Sequence, residues 1–130
     1  MSQENVDVVR GMWQAFLRRD FDQSLAAFHP EVEWDGTNLP DGTIARGHQA
    51  IIDHSARWFG MWDDWTIDVD GFFDAGDEVV VIIRERGRST TGIDMDERHA
   101  EVYTLEEGRI VRRRGFSDTT QALEAVGLRP

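Results

Sequence analysis

The chain has 130 residues, 40% hydrophobic and 30% charged, which fits one domain with a buried core and excludes a disordered chain. No apolar run approaches the roughly 20 residues a membrane span needs, and 25 Asp and Glu against 14 Lys and Arg give a net charge of −11 that repels nucleic acid. Cysteine is absent, which removes disulfides and thiolate chemistry and suits a cytoplasmic protein.

The opening "MSQENVDVV" has no basic stretch ahead of an apolar block, so no secretory leader is expected. Val6, Val9, Trp13, Phe16 and Leu17 recur at helical spacing behind Ser2, an available N-cap. "RRDFD" interrupts that helix. Asp20 can cap a short second helix that would bury Phe21, Leu25 and Phe28 before Pro30 ends it, and "EVEWD" is the first strand candidate. Gly47 opens a third helix with Ile51, Ile52, Ser55, Trp58, Phe59 and Trp62 on its inner side. Alternation in "WTIDVDGFF" sets Trp65, Ile67, Val69 and Phe73 against Thr66, Asp68, Asp70 and Phe72. "DAGD" reads as a turn, and "EVVVIIRER" as a strand apolar enough to be central.

Residues 89–97 read either as a long loop or as the start of the next strand. "RHAEVYTLEEGRIVRRRGFSD" then reads as a hairpin whose "EEG" turn is a three-residue loop with Gly108 in the left-handed conformation. Counting outward from that loop puts Glu101 directly across from Arg113, on one face with His99, Tyr103, Val111 and Gly115. Ala100, Val102, Thr104, Ile110, Arg112, Arg114 and Phe116 take the other face. Asp118 and Gln121 fit the cap and third position of a last short helix, with Gly127 just past its end. The predicted class is α+β, with helices covering one face of a curved sheet.

Four stretches in order, "AFLRRDFDQSLAAFHPEVEWD", "ARGHQAI", "DAGDEVVV" and "HAEVYTLEEGRIVRRRGFSD", resemble the SnoaL-like polyketide cyclase branch of the nuclear transport factor 2-like superfamily. The resemblance spans nearly the whole chain, read as a single domain over 1–130. It implies a cone: a curved antiparallel sheet wrapped around three N-terminal helices, a short C-terminal helix and a blind apolar pocket at the wide end. Members are commonly dimers. The superfamily holds isomerases, cyclases, epoxide hydrolases, dehydratases and binding modules, so fold alone does not decide activity. The resemblance turns His99, Glu101, Tyr103, Arg113 and Gly115 toward the pocket.

By similarity with the steroid isomerases, Asp35 falls within a residue of their general base. A half-buried carboxylate beside Trp34, with no cation in reach, would have its pKa raised into a useful range. The bland alternative is that "DGTNLPDG" is a turn that Asp35 merely begins. Glu101 lies near the isomerases' second acid, but an adjacent Arg113 would hold it ionised. That pair is then a polar floor, a ligand anchor or a plain structural pair. Tyr103, the only tyrosine, is either a donor to a ligand carbonyl or a core aromatic. His99 is either a general acid–base or a solvated rim residue. Trp13, Trp34, Trp58 and Trp62 either line a cavity for a flat hydrophobic ligand or fill the core.

Two positions depart from the enzymes' pattern. Gly115 stands where the epoxide hydrolases carry an aspartate, and Met12 near the isomerases' oxyanion-hole tyrosine. His29, His48 and His54 offer no chelating arrangement, so neither a metal nor a cofactor is expected. Two readings stand. One is a cofactor-free isomerase or cyclase acting on a small hydrophobic carbonyl compound: Asp35 takes the proton, Tyr103 and His99 polarise the oxygen, and Arg113 with Glu101 orients the substrate. The other is a non-catalytic small-molecule-binding or dimerisation module. A homodimer through the outer sheet face is expected, because Ala100, Val102, Ile110 and Phe116 would otherwise leave an apolar patch in water.

Overall fold

The computed structural model describes residues 2–38 and 42–128. In chain order these form α1 (Ser2–Leu17), α2 (Phe21–Ala26), β1 (Phe28–Asn38), β2 (Ile44–Arg46), α3 (His48–Gly60), β3 (Trp62–Ala75), β4 (Glu78–Ser89), β5 (Asp94–Glu106), β6 (Arg109–Phe116) and α4 (Thr119–Ala125). The strands make one curved, open sheet in the order β2-β1-β6-β5-β4-β3. Neighbours run antiparallel except β1 and β6, which are parallel. Among the described residues no helix is long and apolar enough to cross a membrane.

The sheet has a core on each side. On the inner face Val32, Val79, Val81, Ile83, Tyr103, Leu105 and Ile110 pack against Val6, Val9, Met12 and Trp13 of α1 and Ile51 of α3. On the outer face Val80, Ile82, Ala100, Val102 and Phe116 meet Ala122 and Leu123 of α4 and Val126 just past its end. "VVVII" in β4 is therefore apolar in both directions because both of its faces are covered. Asp118 caps α4 by accepting from the Thr120 amide at 2.8 Å. That cover removes the premise of the expected dimer: Ala100, Val102 and Phe116 lie buried under the chain's own helix, and Ile110 faces inward.

Helix ends follow local chemistry. α1 begins at Ser2, whose side chain lies outside the described residues, as does the N-cap expected of it. α1 closes on Arg19 in the left-handed region (φ 67°), with the Arg19 amide donating to the Phe16 carbonyl and the Asp20 amide to that of Ala15. Asp20 then caps α2 by accepting from the Gln23 amide at 3.1 Å. That helix stops at Ala26 rather than Pro30, Phe28 is buried as the first residue of β1, and Phe21 stays 45% exposed. On α3, Ile51 is buried while Ile52 faces water, and Trp62 belongs to β3.

Among the sheet's register shifts, two overturn simple alternation at the candidate residues. Between Val69 and Gly71 the β3 register slips by one, so Phe72 packs on the core and Phe73 is turned out, the reverse of simple alternation. The β5–β6 turn holds two residues, Glu107 (φ 50°) and Gly108 (φ 78°), between the partners Glu106 and Arg109. A bulge follows at once, with Leu105 opposite Ile110 but Thr104 opposite Arg112. Arg113 thus pairs with Tyr103, and Glu101 with Gly115, instead of the expected Glu101–Arg113 register. The ambiguous stretch divides: residues 90–93 form a tight connection, and residues 94–97 already belong to β5.

Candidate functional site

Beyond the apolar layer, strand alternation brings polar groups onto the inner face. In β4 Glu85 follows Ile83 on that face, and in β5 Glu101 and His99 continue the row begun by Leu105 and Tyr103. β6 contributes Arg113, β1 contributes Trp34, and β3 contributes Trp65 and Ile67. The expected inward row of His99, Glu101, Tyr103 and Arg113 is present, although reached through a different register.

Three of these residues satisfy one another. The Arg113 Nε donates to Glu101 Oε2 at 3.0 Å, its Nη2 closes on the same oxygen, and the Tyr103 hydroxyl donates to Glu101 Oε1. The ion pair is diagonal across the strands, and the guanidinium carbon lies 4.3 Å from the centre of the Trp34 ring. Burial pushes the Glu101 pKa up, but Arg113, His99 and the Tyr103 hydroxyl outweigh it and hold the carboxyl below its usual value. Tyr103 is pushed well above its ordinary pKa by burial and then by the Glu101 anion. With its proton directed at Glu101, Tyr103 is a core aromatic with a satisfied hydroxyl rather than a free donor. This trio is a fixed polar floor.

Glu85 and His99 differ. His99 Nε2 lies 3.4 Å from Glu85 Oε1, and the Trp65 indole N–H donates to Glu85 Oε2 at 2.8 Å. The two side chains are 15% and 10% exposed, so neither is sealed off. Burial raises the Glu85 pKa, assisted by the charges of Glu101 and Glu97 and opposed by His99 and the Trp65 bond. A carboxyl group and an imidazole in contact, one with its pKa raised, can hold and pass a single proton. Sequence reasoning missed Glu85 because it took β4 as an unbroken core strand. The signal was there: two residues on from Ile83, the same face continues.

Asp35 lies on the other side of the sheet. Val32 and Trp34 face the helices, so Asp35 between β1 and β6 faces outward, within a strand and not at the head of a turn. Its Oδ1 accepts from the Thr37 amide at 2.9 Å and the Thr37 hydroxyl at 2.7 Å, and its Oδ2 from Arg112 Nη2 at 2.9 Å. Arg112 also reaches Glu33 at 2.7 Å, and Arg46 joins Glu33 at 3.4 Å. Burial raises the Asp35 pKa, but Thr37 and Arg112 outweigh it and leave the carboxyl below its ordinary value. The expectation of a cation-free base with a raised pKa is overturned.

The tryptophans divide. Trp13 is core, 6% exposed on α1. Trp34 sits between Arg113 and His54, Trp58 and Trp62 meet at 5.3 Å, and Trp65 meets Phe59 edge-on at 5.3 Å. Of these partly buried rings, Trp65 is the one that touches Glu85, and Trp34 covers Arg113. Two clefts, of about 470 and 430 Å³, lie elsewhere: one beside α4 and Phe73, the other over Arg86 and Asp96. The expected blind apolar pocket is neither of them. Among the described residues no group of three or more His, Cys, Asp or Glu is arranged to hold a metal ion.

Residues 9–113 match the SnoaL-like domain family. The chain belongs to the SnoaL-like family. Its fold is that of the nuclear transport factor 2-like superfamily. A protein of this superfamily from Burkholderia thailandensis E264 is 29% identical, covering 93% of this chain and 95% of its own, with a TM-score of 0.79. One from Burkholderia pseudomallei K96243 is 26% identical over 95% and 98% of the two chains, with a TM-score of 0.76. A Mycobacterium tuberculosis protein in complex with estradiol-17β-hemisuccinate shares the fold at 19% identity, covering 87% and 92%, with a TM-score of 0.70. No curated protein matches the chain.

Proposed function

We propose that this SnoaL-like protein binds a small, flat, hydrophobic carbonyl compound against its inner face and moves a proton on it through Glu85 and His99, without a cofactor. The observation that carries the reading is this pair in contact, largely buried, with Trp65 hydrogen-bonded to Glu85. Neutral His99 would take a proton from the carbon beside the carbonyl while Glu85 stabilises the imidazolium. Return of that proton to another carbon of the enolate gives isomerisation; attack of the enolate carbon on a second carbonyl, with the imidazolium proton passing to the new alkoxide, gives cyclisation. Glu101, Arg113 and Tyr103 form the floor on which the substrate rests, and Asp35 takes no part. Of proteins with this fold, one is bound to estradiol-17β-hemisuccinate and another, TerC, was co-crystallised with polyporic acid, which supports a small-molecule ligand here.

A second reading, a binding module without chemistry, is favoured by the floor itself. Its hydroxyl and its carboxylate are already engaged with each other, so Tyr103 does not serve as the donor for a developing enolate. Deuterium exchange separates the two. Conjugated and β,γ-unsaturated cyclic ketones incubated with the protein in D2O should exchange their α-protons, and His99→Ala should lower the rate by about 100-fold or more. Binding of the same ketones with no exchange above buffer selects the module.

A further inference from the structure

The α1–α2 junction carries a side chain that this proton chemistry does not use. Arg19 closes α1 in the left-handed conformation, φ 67°, with the paired 3.0 and 2.9 Å amide–carbonyl bonds that usually accompany glycine. An L side chain there is strained, so its presence asks for a reason. Its guanidinium carbon lies 5.8 Å from the centre of the Phe59 ring and 5.9 Å from that of Trp65. Those rings meet edge-on, and Trp65 is the residue whose indole N–H holds Glu85. Arg19 is therefore one side chain removed from the Glu85–His99 pair.

Its charge is met by the two rings and not by an acid among the described residues. Adjacent Arg18 pairs with Asp20 at 3.6 Å, whereas Arg19 pairs with no carboxylate among the described residues, in a chain with a large excess of acids. A guanidinium lying over rings keeps its planar N–H fork for an acceptor from outside, and the fork fits a carboxylate bidentately. A single guanidinium balances one negative charge, which matches a monocarboxylate better than a dianion.

We infer that Arg19 is the specificity-determining residue of the inner site, and that the site takes a planar aryl monocarboxylate whose ring packs on the Phe59–Trp65 wall while its carboxylate meets the guanidinium. The inference rests on the proposed inner site and narrows its substrate class from carbonyl compounds in general to those bearing an acid on a flat ring.

The test compares 2-naphthoate with the neutral 2-naphthamide on the full chain, following the Trp65 indole ¹H–¹⁵N signal, assigned with Trp65→Phe. Both probes should move the signal. Naphthoate should bind about tenfold more tightly at low salt, a margin that narrows as salt is added. Arg19→Gly suits the left-handed backbone and keeps the fold, and it should abolish the margin between the two probes. Arg19→Lys, which keeps the charge but not the fork, should retain part of the margin. Equal affinities in the natural protein, or a margin that survives Arg19→Gly, overturns the inference and leaves the inner site standing. If neither probe moves Trp65, the inner-site reading fails and this inference with it.

Discussion

Arg113→Met should destabilise the protein severely at neutral pH and much less in acid. Arg113 and Glu101 are 4% and 6% exposed, and the guanidinium supplies two contacts to the Glu101 carboxylate and covers Trp34. Methionine fills much of the stem's volume, so the main loss is the counter-charge. Removing one member of a buried pair strands the other, a penalty of about 3–5 kcal/mol. In the natural protein the Glu101 pKa lies below its ordinary 4.5, so its ionisation favours the fold above that value, and the benefit fades as pH falls through the folded pKa. Without Arg113, burial dominates and raises that pKa, so the sign reverses and Arg113→Met should gain stability as pH falls from 7 toward 4.5. Urea unfolding of both proteins at the two pH values measures the difference. The double variant Arg113→Met, Glu101→Leu should recover most of the loss, because no buried charge is left behind. A loss below about 1 kcal/mol at pH 7, or the same loss at both pH values, would refute this account of the floor.

Glu85→Gln should separate stability from chemistry. Burial raises the Glu85 pKa, so its ionised form opposes folding as pH rises past the ordinary 4.5. The amide keeps an acceptor for Trp65, and the thermal midpoint at pH 7 should hold or rise by a few degrees while α-proton exchange is lost. Asp35→Asn should leave exchange intact and cost about 1–2 kcal/mol in urea unfolding, since Arg112 is partly exposed while Thr37 loses its ionised acceptor. Because the folded Asp35 pKa lies below the ordinary 3.8, its contribution is present above that value and lost in stronger acid, and the variant's acid unfolding should lack that component. Gly87→Ala would bring a Cβ to 2.5 Å from the Asp64 carbonyl oxygen, which is backbone and cannot swing away. It should cost about 1–3 kcal/mol and loosen the β3–β4 end that carries Trp65, visible as broadening of its indole signal.

What the sequence reveals well is governed by short-range chemistry. The Asp20 and Asp118 caps, the opening of α3 after Gly47 and the two-faced apolarity of β4 each depend on a few neighbouring residues. The failures are failures of parity. A bulge displaces one residue and exchanges the faces of everything beyond it, with no mark in composition. One such slip turned Phe72 inward in place of Phe73. At the β5–β6 turn two departures cancelled: the loop is one residue shorter than expected and the bulge at Val111 adds it back, so Arg113 kept its face while Ile110 changed sides. Asp35 failed for another reason. Alternation from Val32 and Trp34 already puts it outside, but a resemblance good only to within a residue cannot tell one face of a strand from the other.

The single parallel seam, β1 against β6, also fixes the order in which the molecule can be assembled. β3, β4, β5 and β6 join through neighbouring hairpins, whereas the Asp35–Arg112 bond across the seam spans 77 residues. Closing so long a loop is entropically costly and yields no contacts until it is done, so the seam should be late in folding. During synthesis β1 emerges early and has only the three-residue β2 beside it until residues 109–116 leave the ribosome. Trp34 and Arg113 face each other across that join. The polar floor is thus laid in the same late event that first gives β1 its long partner, and a chain stalled before β6 would expose β1's open edge to other chains.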